Sequence, residues 1–275
     1  SDDQTPILDG NEEEPGTDLR NGLVILLAED NATNQIVVSH ALERVGCDVD
    51  IANNGREAVQ AAANRLYDCI LMDISMPEMD GLEAAQKIKG SGLNKATPII
   101  ALTAYSLRGD RERFLASGMQ DFLPKPVEKE DLLACIARNT GTNETKHSDG
   151  GKAETSASLA AARDILHTMP DDLKQKLLQQ FVDDTMKRRD AVLNAVETGN
   201  LDQLERATHA LKSVAGTFGA TDLTNIAAAM NTLARDHKTA AAMARAGELA
   251  EICDLTLGEV KQLADEIGVE LSSTG

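Results

Sequence analysis

Five short apolar runs, LVILLA, CDVDIA, CILM, PIIAL and DFL, recur between Leu23 and Leu123, separated by stretches whose apolar residues follow helical spacing. Such alternation predicts successive βα units, which close as a parallel sheet with helices on both faces. The runs are not equivalent. LVILLA is apolar throughout, as an inner strand requires, whereas CDVDIA alternates Cys47, Val49 and Ile51 with Asp48 and Asp50, the pattern of a half-exposed edge. The expectation is a doubly wound, five-stranded parallel sheet with its first strand inside and its second at one edge. The intervening helix, NQIVVSHALERVG, is expected to bury Val38, Ala41, Leu42 and Val45 and to stop at Gly46.

The pattern breaks after Asn139, where NTGTNETKHSDGGKAETSAS is rich in Gly, Ser, Thr and charge and has no periodicity. A flexible tether of roughly 20 residues has an r.m.s. span of about 25 Å. Beyond it the spacing is helical over Leu159–Leu166, Asp171–Glu197, Leu201–Thr217, Asp222–His237 and Ala240–Ile267. Pro170, Gly199 with Asn200, and Gly219 stand at the joints of these segments. An antiparallel four-helix bundle with a short leading helix accommodates them. The sequence thus divides into an acidic flexible linker (1–21), an α/β domain (22–139), a second linker (140–157), an all-α domain (158–268) and a tail (269–275).

Composition narrows the function classes. The 45 acidic side chains against 27 basic ones leave a formal net charge of -18, the opposite of a nucleic-acid-binding surface. No apolar run reaches membrane-spanning length, and the first twenty residues lack the pattern of a signal peptide. Cys47, Cys69, Cys135 and Cys253 show no zinc-type spacing and read as core residues of a reducing, cytoplasmic environment. The polar start, without methionine, suits a piece of a longer protein, which could itself be membrane-anchored.

Chemistry concentrates where the strands end. Glu29 and Asp30 follow the first strand, Asp73 the third, Thr103 the fourth and Lys125 the fifth. In an open α/β sheet these carboxyl ends converge on one crevice. Three carboxylates there repel one another, and a hard cation such as Mg²⁺ resolves the repulsion. Lys125 and Thr103 would contact an anionic oxygen, and Asp73 is the candidate nucleophile.

In the helical half, a helix running through THALKSVAGTFGA from the residues just before it places Leu204, Ala207, Leu211, Val214 and Phe218 on one apolar stripe. His209, Lys212 and Gly216 fall on roughly the opposite face. Glycine inside a helix costs roughly 1 kcal/mol relative to alanine, so Gly216 wants a reason there. A nucleophilic imidazole, with a cation one turn away and room for an approaching partner, supplies one. His40, His147, His167 and His237 lack that company.

LLAEDNATNQ, ILMDISMPEMDG, ALTAYS and DFLPKP together resemble the successive motifs of response-regulator receiver domains, whose fold is flavodoxin-like. The resemblance implies that Asp73 is phosphorylated, that Glu29, Asp30, Asp73 and the Ser75 backbone carbonyl bind Mg²⁺, and that Thr103 and Lys125 contact the phosphoryl group. It further implies a cis Lys125–Pro126 peptide and a switch aromatic at Phe122 that moves with Thr103. THALKSVAGTFGA is similar to the histidine phosphotransfer (HPt) domain, which implies that His209 carries phosphate, that Lys212 favours its anion, and that Gly216 leaves room for a docking receiver. Ser213 stands where that family commonly has glycine. The expected partners are an upstream histidine kinase domain and a downstream or cognate receiver, with neither nucleic acid nor membrane contacted by this chain. No kinase catalytic domain is evident, and the order of domains resembles the C-terminal part of a hybrid sensor histidine kinase. Two other readings compete. A haloacid-dehalogenase-like phosphatase also uses a strand-end aspartate, Mg²⁺ and lysine, but places its general acid two residues after the nucleophile, where this chain has Ser75. A binding scaffold would leave Asp73 unphosphorylated.

Overall fold

The computed structural model describes residues 19, 22–90, 92–103, 110–141 and 159–272; the side chains of residues 110, 111 and 160 are not described. The acidic opening apart from Leu19, the end of ALTAYS, the tether between residues 141 and 159 and the last three residues lie outside these bounds.

The apolar runs form β1 (Val24–Ala28), β2 (Asp48–Ala52), β3 (Cys69–Asp73), β4 (Ile99–Thr103) and β5 (Asp121–Pro124). All pair in parallel, in the order β2-β1-β3-β4-β5. The continuously apolar β1 is inside and the alternating β2 lies at an edge, as their patterns require. Helices α1 (Ala32–Glu43), α2 (Gly55–Asn64), α3 (Gly81–Gly90), α4 (Asp110–Ala116) and α5 (Lys129–Thr140) follow the successive strands. Period-2 alternation gives the sheet two cores. Ile25, Leu27, Leu71, Ile100 and Leu102 pack with Val38 and Leu42 of α1 and Leu132 and Ile136 of α5. Leu26, Ile70, Met72, Ile99 and Ala101 pack on the other face against Ala58 and Ala62 of α2 and Ala84, Ala85 and Ile88 of α3. The small side chains of α2 and α3 let those helices lie close to the strands.

The second half consists of α6 (Ala160–His167), α7 (Asp171–Glu197), α8 (Leu201–Phe218), α9 (Thr221–Arg235) and α10 (Thr239–Glu266). Their short connections carry the expected signals. Asn200 caps α8 by accepting from Gln203 N, and Gly219 ends it in the left-handed region at φ 71°. α7 to α10 enclose one apolar core in which Phe181 of α7 stacks on Phe218 of α8, with centroids 3.9 Å apart and planes at 19°.

α1 departs from the sequence-based expectation. Ala41 and Val45 are only half-buried, while Thr33, Asn34 and Ile36 are buried. The reason is a second neighbour. Ile36 belongs to the core of the helical bundle, and Val37 packs against it. Around this contact lies a ring of polar bonds. Asp184 Oδ2 of α7 accepts from Asn31 Nδ2 at 3.0 Å and from Thr33 Oγ1 at 2.9 Å. Asn34 Nδ2 donates to Ser213 Oγ of α8 at 2.9 Å, and Thr217 Oγ1 donates to Asn34 Oδ1 at 2.8 Å. These bonds pair polar side chains that the contact partly removes from solvent.

A charge at the centre of this contact should separate the two halves without unfolding either. Ile36→Asp is expected to raise the radius of gyration in small-angle scattering while far-UV circular dichroism stays unchanged. An unchanged radius would mean that α1 is not what holds the halves together.

Candidate functional site

The strand ends converge as their positions require. Glu29 directly follows β1, Asp73 ends β3 and Thr103 ends β4; all three are buried, at 1%, 4% and 1% exposure. Lys125, which follows β5, reaches back across the sheet end. Its Nζ lies 2.6 Å from Glu29 Oε2 and 2.9 Å from Asp73 Oδ2. The Lys125–Pro126 peptide is cis. Lys125 N also donates to Thr103 O at 2.7 Å, fixing the β5 end against β4. Ser75 N donates to Asp73 Oδ1 at 3.1 Å, and Asn34 Nδ2 to Glu29 Oε1 at 3.0 Å.

The electrostatics are those of crowded acids with one cation. Burial pushes the Glu29 carboxyl up to about 7, Lys125 opposing and Asp73 adding to the rise. Burial likewise raises Asp30, again with Asp73 repelling it. Burial disfavours the charge on Lys125, but Asp73 and Glu29 outweigh it and hold the ammonium above the usual lysine range. One carboxylate oxygen from each of Glu29, Asp30 and Asp73 lies within 4.8 Å of the others, a spacing that suits a hard cation with oxygen ligands.

A second wall faces this cluster. A cleft of about 1040 Å³ is lined on one side by Glu29, Asp30, Asp73, Ser75 and Lys125, and on the other by His209, Ala210, Ser213 and Arg206 of α8 and Arg188 of α7. His209 is thus not turned to open solvent. Burial lowers its pKa below 6.5; Asp73 opposes the shift, and Lys125, Lys212 and Arg188 add to it. The imidazole is therefore neutral, with a lone pair available, over a wider pH range than a free histidine.

The remaining sequence-predicted residues are distributed unevenly. Lys212 acts electrostatically on His209, but it is not among the residues that line the cleft. Gly216 lies against the β5–α5 turn, where a Cβ would sit 3.6 Å from Pro126 Cδ, an ordinary contact distance. Phe122 stands within β5 with its ring tilted at 47° to that of Phe114, centroids 6.0 Å apart. It does not line the cleft.

Four residues that sequence reasoning did not single out shape the site: Asn34, Asp184, Arg188 and Gly81. The first three act through the contact between the halves, for which a single sequence carries no signal. Gly81, in MPEMDG, had one. A Cβ on it would fall 2.1 Å from the Asp73 carbonyl oxygen, so only glycine lets α3 start this close to the Asp73 end of β3.

Gly81→Ala should cost about 1–3 kcal/mol through the forced shift, measurable as a lower midpoint in urea. An unchanged midpoint would show that α3 yields freely. His209 yields a pH prediction. Because its pKa is lowered when the halves are in contact, that form binds fewer protons at His209 than the separated one, so this residue's contribution to the contact is fully present above pH 6.5 and is lost as pH falls through the lowered value. The imidazole resonances should titrate below 6.5 in the intact chain and move back toward 6.5 in Ile36→Asp; identical midpoints would remove the contact as the cause.

Comparison with known proteins agrees with this geometry. Residues 25–137 match the response regulator receiver domain model, and residues 176–267 match the Hpt domain model. Hybrid signal transduction histidine kinase I of Dictyostelium discoideum is 42% identical over 119 residues, covering 41% of this chain and 7% of its own length. The signal transduction histidine-protein kinase BarA of Escherichia coli (strain K12) is 36% identical over 116 residues, 42% of this chain and 13% of its own length. The chain therefore spans a small fraction of these relatives. Among solved structures, the receiver domain of sensor histidine kinase PA1611 from Pseudomonas aeruginosa PAO1, with a magnesium ion coordinated in its active-site cleft, is 42% identical. It covers 44% of this chain and 98% of its own, with a TM-score of 0.42. The α/β half with its acidic strand-end cluster and the helical half bearing His209 are accordingly a response-regulator receiver domain followed by an Hpt domain, the composition of a two-component phosphorelay module.

Proposed function

We propose that Asp73 accepts a phosphoryl group from an upstream histidine kinase domain and that His209 of the same chain is its exchange partner. The observation that carries this reading is the shared cleft: Asp73 and His209 line it from opposite domains.

The chain's residues divide the work. Asp73 offers a carboxylate oxygen to the incoming phosphorus, held by Ser75 N and Lys125. The donor's bond to phosphorus breaks as the oxygen–phosphorus bond forms, giving an acyl phosphate. Lys125 then has a phosphoryl oxygen as a new acceptor, and Thr103 supplies a hydroxyl beside it. Glu29, Asp30 and Asp73, with the Ser75 carbonyl, would hold Mg²⁺, which the donor set fits because it is all oxygen and closely spaced. When bound, that ion neutralises negative charge on the phosphoryl oxygens. His209, neutral and facing the cleft, is the nucleophile for onward transfer, with Lys212 electrostatically beside it. Ser213, bonded by Asn34, and Gly216, against Pro126, mark where the receiver docks on α8, and Phe122 with Thr103 would report phosphorylation to the β5 surface. A downstream receiver completes the relay. Among the described residues no helix is long and apolar enough to cross a membrane.

The phosphatase alternative is weaker because the position two residues after Asp73 holds Ser75 and the wall opposite Asp73 presents a histidine. Labelling of the chain with acetyl phosphate and Mg²⁺ separates the possibilities. Wild type should acquire an alkali-labile label at Asp73 and then an alkali-stable one at His209. Asp73→Asn should lose both, and His209→Gln should keep the first alone. Undiminished His209 label in Asp73→Asn would sink the relay, and an unlabelled Asp73 would indicate a scaffold.

A further inference from the structure

α7 carries two adjacent arginines with opposite surroundings. Arg189 is engaged at the bundle surface, its Nε 3.2 Å from Asp190 Oδ1 and an Nη 2.6 Å from Asp254 Oδ1. Arg188 points the other way and lines the cleft with Asp30, Asp73, Lys125 and His209. Its Nε is buried and has no hydrogen-bond partner among the described residues. An unused, desolvated guanidinium N–H is unfavourable, and its persistence beside a phosphoryl site points to an acceptor that arrives with the substrate. A guanidinium is always charged, and its planar fork of donors matches phosphoryl oxygens. Its charge is felt on both sides of the cleft, opposing the burial-driven rise at Asp30 and adding to the burial-driven fall at His209.

The charge balance of the transfer gives this arginine a task. The imidazole lone pair forms a bond to phosphorus, the Asp73 oxygen–phosphorus bond breaks, and its electron pair returns to the carboxylate. The other ring nitrogen keeps its proton. The phosphoryl oxygens carry their negative charge away from Lys125, which Glu29 and Asp73 hold on the receiver side, toward α8. Lys212 does not line the cleft; of the two arginines that do on that wall, Arg206 spends its Nε on Asp202 O, and Arg188 is the cation with a buried N–H still to be used.

We infer that Arg188 is that cation: the Hpt domain contributes an arginine that binds the phosphoryl group in transit between Asp73 and His209. This rests on the exchange proposed above.

The test uses the full chain, labelled at Asp73 with acetyl phosphate and then freed of donor, and follows decay of the aspartyl label into the histidyl one. Taking the rate constant from that decay removes any change in label formation. Arg188→Gln is expected to slow transfer about 100-fold, the scale of losing one donor to a developing oxyanion. Arg188→Lys should restore part of the rate, and guanidinium ion in solution should speed transfer in Arg188→Ala. Wild-type transfer with an equal rate in Arg188→Gln would overturn the inference. So would slow transfer accompanied by lost amide-exchange protection over Asn31–Val38, which would make Arg188 a docking residue. If the wild type itself passes no label to His209, the failure belongs to the exchange reading.

Discussion

Lys125 bridges two buried carboxylates, and the site is organised around that bridge. Without its ammonium, Glu29 and Asp73 would face each other at the sheet end with Asp30 close by, an arrangement that favours protonation over nucleophilicity. The parallel sheet makes the bridge geometrically possible. Register brings Asp73 opposite Leu102 and Thr103 opposite Pro124, so residues distant in sequence end on one rim. The glycine at position 81 then lets the next helix start against the Asp73 backbone itself.

The other organising element is α1, which serves two cores. Val38 and Leu42 belong to the receiver, and Ile36 to the Hpt bundle. A helix packed on both sides cannot tilt independently of either neighbour, so the position of His209 relative to Asp73 follows from side-chain packing in α1.

Much of this was legible in the residues. Strand order followed from which runs were continuously apolar and which alternated, because burial on one face or two leaves a direct mark on sequence. The strand-end acids, Thr103 and Lys125 were legible because the topology of a parallel sheet decides where such residues go. His209 was legible from its helical face, and so was the apolar stripe through Leu204, Leu211, Val214 and Phe218. The illegible part lies where the domains meet. Thr33 and Ile36 fall away from the stripe of Val38, Ala41, Leu42 and Val45 that the helical spacing assigns to the core, and it is the neighbouring domain that buries them; nothing in the sequence marks Arg188 as a cleft residue. Lys212 shows the limit of reasoning from helical angle alone, since proximity along α8 did not decide which residues form the cleft wall.

Asn34 is the residue in which these threads meet. Its amide donates to Glu29 on one side and Ser213 on the other, and its carbonyl accepts from Thr217. A carboxamide has two donor hydrogens, and both are already committed. Any event that draws Glu29 toward a new ligand therefore releases one of them, and any departure of α8 releases the other. Loading of the acidic site and separation of the domains thus each break a bond made by the same side chain, which makes Asn34 a physical link between chemistry and assembly.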